Sequence, residues 1–127
     1  MATKFGWTDS TGKITLVASG AVVQYDQVII SGQGTCAAAG AAGNAIGVAL
    51  TAATATGVAI DILSYNHGGT CPAVTAASVT AGAKVYAAAS GTVKASATAA
   101  SATPIGVCVN GATAAGDRIE FIPLVPI

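Results

Sequence analysis

The sequence predicts an all-β protein, a small barrel or sandwich of short strands, and three observations carry that prediction. Short apolar runs alternate with period two and are bounded by Gly, Ser, Thr and Asn. Eight such runs are separated by turns of small residues. A stretch of the first half recurs in the second half, 59 residues further on.

The strand candidates follow in chain order. Ile14 to Val17 is the first and Gln27 to Ile30 the second, the latter followed by a Ser31-Gly32-Gln33-Gly34 turn. Ile46 to Leu50 is the third. Val58 to Leu63 alternates cleanly, with Val58, Ile60 and Ile62 on one face and Asp61 on the other. Lys84 to Ala87 and Gly91 to Lys94 flank an Ala88-Ala89-Ser90 turn. Ile105 to Val109 and Arg118 to Ile122 bring the count to eight. The dense alanine of Thr75 to Ala81, stopped by Gly82, suggests one short helix. The alanine-rich stretch Cys36 to Ala42 reads as a loop, kept short by Gly40, Gly43 and Asn44.

The repeat joins Ile46-Gly47-Val48 to Ile105-Gly106-Val107, Gly57 to Gly116, Ile60 to Ile119 and Asp61 to Glu120. Upstream, Val28 and Gly34-Thr35 match Val85 and Gly91-Thr92 at an offset of 57, which implies a two-residue insertion between. Two pseudo-repeated β units, at about 27–63 and 84–122, are the simplest account. Two such units can close on each other and remove exposed strand edges. A single β domain then spans 14–127, preceded by an N-terminal arm at 1–13.

Composition narrows the function. The chain has 127 residues, one domain's worth. Five basic and five acidic residues cancel, and only 8% of residues are charged. A nucleic-acid binder needs a basic stripe to neutralise phosphates, so nucleic acid is not an expected partner. Hydrophobic residues are 53%, but 30 of them are alanine, which contributes little burial. A thin core beneath an almost uncharged exterior points to burial against other chains. The longest uncharged run, Gln27 to Ile60, is broken by glycines and threonines, so no membrane span is expected. No apolar segment follows Lys4 as in a signal peptide, and synthesis in the cytoplasm is expected.

No residue constellation points to catalysis, a cofactor or a metal. Cys36, Cys71 and Cys108 lie about 35 residues apart without a C-x-x-C, and zinc sites cluster their ligands. They read as small, reduced, semi-buried side chains, although a pairing of Cys36 with Cys71 stays open. Gly32-Gln33-Gly34-Thr35-Cys36-Ala37 fits a dinucleotide fingerprint in letters only. No acid follows about 20 residues on, and a hairpin turn is expected. The one histidine, His67, sits in Asn66-His67-Gly68-Gly69, which is turn chemistry, and is expected to be exposed. Asp61 with Glu120, or Asp117 with Arg118, could meet through the pseudo-symmetry but are expected to be solvated charges. The arm differs from the rest: Lys4, Phe5 and Trp7 combine charge with aromatic anchors and are the candidate docking residues.

Gly82-Ala-Lys-Val-Tyr86, Gly91-Thr-Val93, Thr103-Pro-Ile-Gly-Val107 and Gly116-Asp-x-Ile-x-Phe-Ile122 together resemble the small capsid decoration, or cement, proteins of tailed bacteriophages. That branch is long catalogued as a phage domain of unknown function. Ile46-Gly-Val-Ala-Leu50 and Val58-Ala-Ile-Asp-Ile62 supply the first-half counterpart, and the resemblance runs from about Ile14 to Leu124. Ala83 and Ala87 depart from it, standing where the family has Asp and an aromatic. The resemblance implies a barrel or β-tulip-like knob, assembled as a homotrimer on local three-fold positions of the capsid outer surface. It also implies the major capsid protein as partner, and no catalysis. The second reading is a β-rich tail-fibre or adhesin-like recognition module.

Overall fold

Strands form where side chains alternate between an apolar inside and a more polar outside. The computed structural model describes residues 12–40, 45–95 and 103–124. In β1 (Lys13–Ala18), Leu16 and Ala18 are buried while Lys13, Thr15 and Val17 face out. β2 (Gln27–Gly32), β3 (Thr35–Ala38), β4 (Gly47–Ala49) and β5 (Ala59–Ser64) follow. They close into a barrel in the order β1-β3-β2-β4-β5, with β1 and β3 parallel and the other pairs antiparallel.

The second half holds β6 (Cys71–Val74), β7 (Lys84–Ala87), β8 (Val93–Lys94), β9 (Gly106–Cys108) and β10 (Arg118–Pro123). Its sheet runs β6-β10-β9-β7-β8. A single parallel bridge, Thr75 to Val93, stands where the β1–β3 ladder stands in the first half, so this sheet curls into a half-barrel.

The two halves share one register. Gly47↔Ser64, Val48↔Leu63 and Ala49↔Ile62 recur 59 residues on as Gly106↔Pro123, Val107↔Ile122 and Cys108↔Phe121. Val28↔Gly47 recurs as Val85↔Gly106, and Leu16↔Ile60 as Ala73↔Ile119. The offset is 57 through β3 and β8 and 59 from β4 and β9, so the second unit is two residues longer between them. The repeat also reaches further back than residue 27, because β1 and β6 are equivalent strands.

The Ile-Gly-Val motif has a steric cause. A Cβ on Gly47 would lie 2.5 Å from the Leu63 carbonyl oxygen, and one on Gly106 would lie 2.5 Å from that of Ile122. Both glycines let β4 and β9 press against the neighbouring strand where no side chain fits.

Three local expectations are corrected. The described residues hold ten strands rather than eight, because Thr35–Ala38 and Cys71–Val74 also pair. Cys36 to Ala42 is therefore not a loop at its start. Thr75 to Ala81 forms no helix. Its backbone N–H groups are claimed from outside: Thr75 donates to Asp117, Ala76 to Val93 and Val79 to Ala112. The Thr75 hydroxyl also bonds the Ala114 carbonyl at 2.9 Å. Seven residues gain too little helical propagation to compete with these bonds. Among the described residues the helical geometry is confined to the short 3-10 turn at Ala89–Gly91.

Two cores result. Leu16, Val28, Cys36, Ile60 and Ile62 fill the first barrel. Val85, Val93, Cys108, Ile119 and Phe121 fill the second half, and Val48 and Tyr65 enter it from the first. Where the first barrel has Ile14 and Leu16, the second half has Cys71 and Ala73. The smaller side chains leave the room that Tyr65 occupies, edge-on to Phe121 at 5.9 Å between ring centres.

Candidate functional site

The candidate docking residues Lys4, Phe5 and Trp7 lie outside the described residues, as do the first eleven residues of the arm. Among the described residues, no three of His, Cys, Asp and Glu gather to hold a metal ion. No helix is long and apolar enough to cross a membrane. The polar chemistry that the fold does assemble lies in the seam between the two halves.

Gln27 anchors that seam. It is fully buried, and its amide nitrogen donates to the Tyr25 and Pro72 carbonyls, both at 3.3 Å. Its amide oxygen accepts the Tyr65 hydroxyl at 2.5 Å. Each of its polar atoms is thus partnered, as a buried amide requires. Burial pushes the Tyr65 phenol far above its ordinary range, with the nearby Cys71 adding to the shift, so it stays a donor.

A second cluster lies alongside. The Arg118 guanidinium stacks on the Tyr25 ring at 4.3 Å and donates to the Tyr25 hydroxyl at 3.2 Å. Its other nitrogen pairs with Glu120 at 3.1 Å, and Thr70 donates to the same carboxylate. Tyr25 holds a left-handed backbone, φ 73°, where the equivalent residue of the second half is Gly82 at φ 85°. A tyrosine there is strained, at a cost on the order of 1–3 kcal/mol. Its stacking with Arg118 across the seam offsets part of that.

Asp26 is buried against Gly91 and accepts the Val23 N–H at 2.9 Å. Burial raises its pKa above the usual carboxylate value, and the Val23 bond opposes the shift in part. The folded state therefore binds the proton more tightly than the unfolded chain does. Asp26's contribution to stability is full in acid and is lost as pH rises through its folded pKa. Asp26→Asn keeps an acceptor for Val23 and removes that loss. Thermal melts should show the variant gaining on wild type between pH 3 and pH 7, and parallel melting curves at both pH values would refute this.

The three cysteines are free and buried. Cys36 sits in the first core, and Cys71 and Cys108 sit in the second, so the open Cys36–Cys71 pairing does not form. Burial raises the Cys36 pKa, and burial together with the charge of Glu120 pushes Cys71 up to about 12. All three thiols are out of reach of solvent, and reaction with a thiol reagent should be slow in the native protein. After unfolding, without reductant, all three thiols should titrate; fewer would reveal a disulfide.

His67 corrects another expectation: it is half-buried, packed on Gly12 and Gly69, rather than exposed. Its Nδ1 lies 2.9 Å from the Ser64 carbonyl, which can only accept, so Nδ1 carries a proton. Cys71 Sγ lies 3.9 Å from that same nitrogen, which has no lone pair left to activate the thiol. Asp61 and Glu120 keep separate partners. Asp61 accepts the Thr15 hydroxyl, and Arg118 pairs with Glu120 rather than Asp117.

A groove of about 640 Å³ opens beside Ser78, Thr80, Asn110, Thr113 and Asp117. Asn110 and Asp117 spend side-chain oxygens there on the Glu120 and Ala114 backbone N–H groups. The groove is loop architecture; Thr51 serves Asp61 in the same way in the first half.

Sequence reasoning missed the seam. Gln27, Tyr65, Tyr25 and Arg118 carry no motif. The one available signal was the repeat itself: Tyr25 stands where the second unit has glycine, and Gln27 where it has Lys84.

No protein-family model matches the chain, and no curated protein matches it. Among solved structures, the fold is similar to the N base of head fiber gp8.5 in bacteriophage phi29. The likeness has a TM-score of 0.69 at 17% identity, and covers 88% of this chain and 92% of that one. The two chains share an all-β fold over nearly their whole lengths.

Proposed function

We propose that this chain is a structural, non-enzymatic protein of a bacteriophage head, a knob that binds the outer capsid surface. The observation that carries the reading is the shared fold with a head-fiber base across nearly the whole of both chains. The motif resemblance to capsid decoration proteins points to the same surface independently. In this reading the knob sits as a homotrimer at local three-fold positions, against the major capsid protein. The small Ala and Thr side chains of the outer surface supply the faces for trimer packing.

Its role is linkage. A protein that binds the expanded shell alone stabilises it, by about 2.7 kcal/mol per site at a hundredfold excess over Kd. Seating three linked copies adds avidity without any strong single contact. The likeness to a fiber base favours a second reading, in which the knob anchors an appendage rather than cementing the shell.

One experiment addresses both. Heads purified without the protein are mixed with it, and bound copies and the shell's thermal transition are measured. A cement protein binds the assembled shell alone and raises the transition; an anchor that binds shell and free capsid subunit alike leaves it unchanged. Absence of binding would refute the head reading.

A further inference from the structure

The repeat exposes an asymmetry. In the first half, Gln27, Val48 and Leu63 form one outward row across β2, β4 and β5. That row is covered by the second half: Gln27 and Val48 are fully buried, and Leu63 packs against the second core. The equivalent row in the second half is Lys84, Val107 and Ile122 across β7, β9 and β10. Nothing among the described residues covers it. Ile122 is 54% exposed, and Leu124, the counterpart of Tyr65, is 41% exposed. One row along, Tyr86 pairs with Lys94 on the same side of the sheet.

The uncovered face therefore has an apolar centre with a lysine beside it and another one row away. Among the described residues the one ion pair is Arg118 with Glu120, so neither lysine has a carboxylate. Its chemistry fits a protein surface that brings carboxylates around an apolar spot. A second copy of this chain is a poor match. Of its described acids, Asp26 is buried and Glu120 is engaged by Arg118, which leaves Asp61 and Asp117 on separate halves.

We propose that this face of β7, β9 and β10, with Lys84, Lys94 and Ile122 as its principal contacts, is where the knob seats on an acidic, apolar-centred surface of a different protein. The identity of that partner as the phage head rests on the function proposed above.

The test uses heads purified without the protein, together with the wild-type protein, Lys84→Glu/Lys94→Glu, Ile122→Asp and, as a control on the other half, Asp61→Lys. All four substituted positions are exposed or partly so, and melting curves confirm folding. The double variant and Ile122→Asp should each lower head binding about tenfold or more. Wild-type binding should weaken with added salt, and Asp61→Lys should bind normally. Lysine acylation should label Lys84 and Lys94 in the free protein and spare them on heads.

If the wild type binds and the face variants bind equally well, the face assignment is wrong and the head reading stands. If the wild type binds no heads, the head reading fails and takes this partner with it. If Lys84 and Lys94 are already protected in the free protein, another copy or the chain's own arm covers the face, which also overturns the proposal.

Discussion

Gly106→Ala is expected to lower stability sharply, because the added methyl group meets a buried ring and a strand backbone. The new Cβ would lie 2.3 Å from Phe121 Cδ2 and 2.5 Å from the Ile122 carbonyl oxygen. Both neighbours are fixed: Phe121 is fully buried, and the carbonyl belongs to β10. Overpacking of this kind costs about 1–3 kcal/mol, and more where backbone must move. For a domain of this size that is a fall in Tm of about 4–15 °C. Gly47→Ala should act in the same direction, against the Leu63 carbonyl at 2.5 Å and Ile62 at 2.9 Å. Gly20 has nothing within 4 Å of the corresponding Cβ, so Gly20→Ala should leave Tm unchanged within about a degree or raise it slightly. A Gly106→Ala protein that melts with wild type would show that β9 and β10 are not packed as described.

Tyr65→Ala should cost about 3–5 kcal/mol, because it empties the space over Phe121 and strips Gln27 of its donor. Tyr65→Phe separates the two effects. The ring stays and the Gln27 oxygen is left buried without a partner, a loss of about 1–3 kcal/mol. Gln27→Leu removes the orphan, although it also deprives the Pro72 carbonyl of a donor. The double variant should therefore be less destabilised than the two single losses added together. Strict additivity in chemical denaturation would mean that the tyrosine and the amide do not meet.

The strands and the repeat were legible because the residues that carry them do steric work. Gly47 and Gly106 are needed where two backbones approach, and Ile60 and Ile119 point inward at equivalent places. Selection of residue type by packing leaves a mark at fixed spacing. β3 and β6 were not legible: Thr-Cys-Ala-Ala and Cys-Pro-Ala-Val are nearly featureless, and their pairing is decided by neighbours distant in sequence. The Thr75–Ala81 helix failed for the same reason, since local alanine content gave way to bonds from Asp117, Val93 and Ala112. The seam was invisible because it depends on how two similar units differ. Gln27 against Lys84 is a core anchor against an exposed cation, and only the relative placement of the halves decides which is which.

The proposed function places this knob on the outside of a phage head. Electron cryomicroscopy of the intact particle tests it most directly. Density for a five-stranded barrel joined to a curled half-barrel is expected on the outer capsid surface at local three-fold positions. The same density on the tail, or none on the particle, would contradict it.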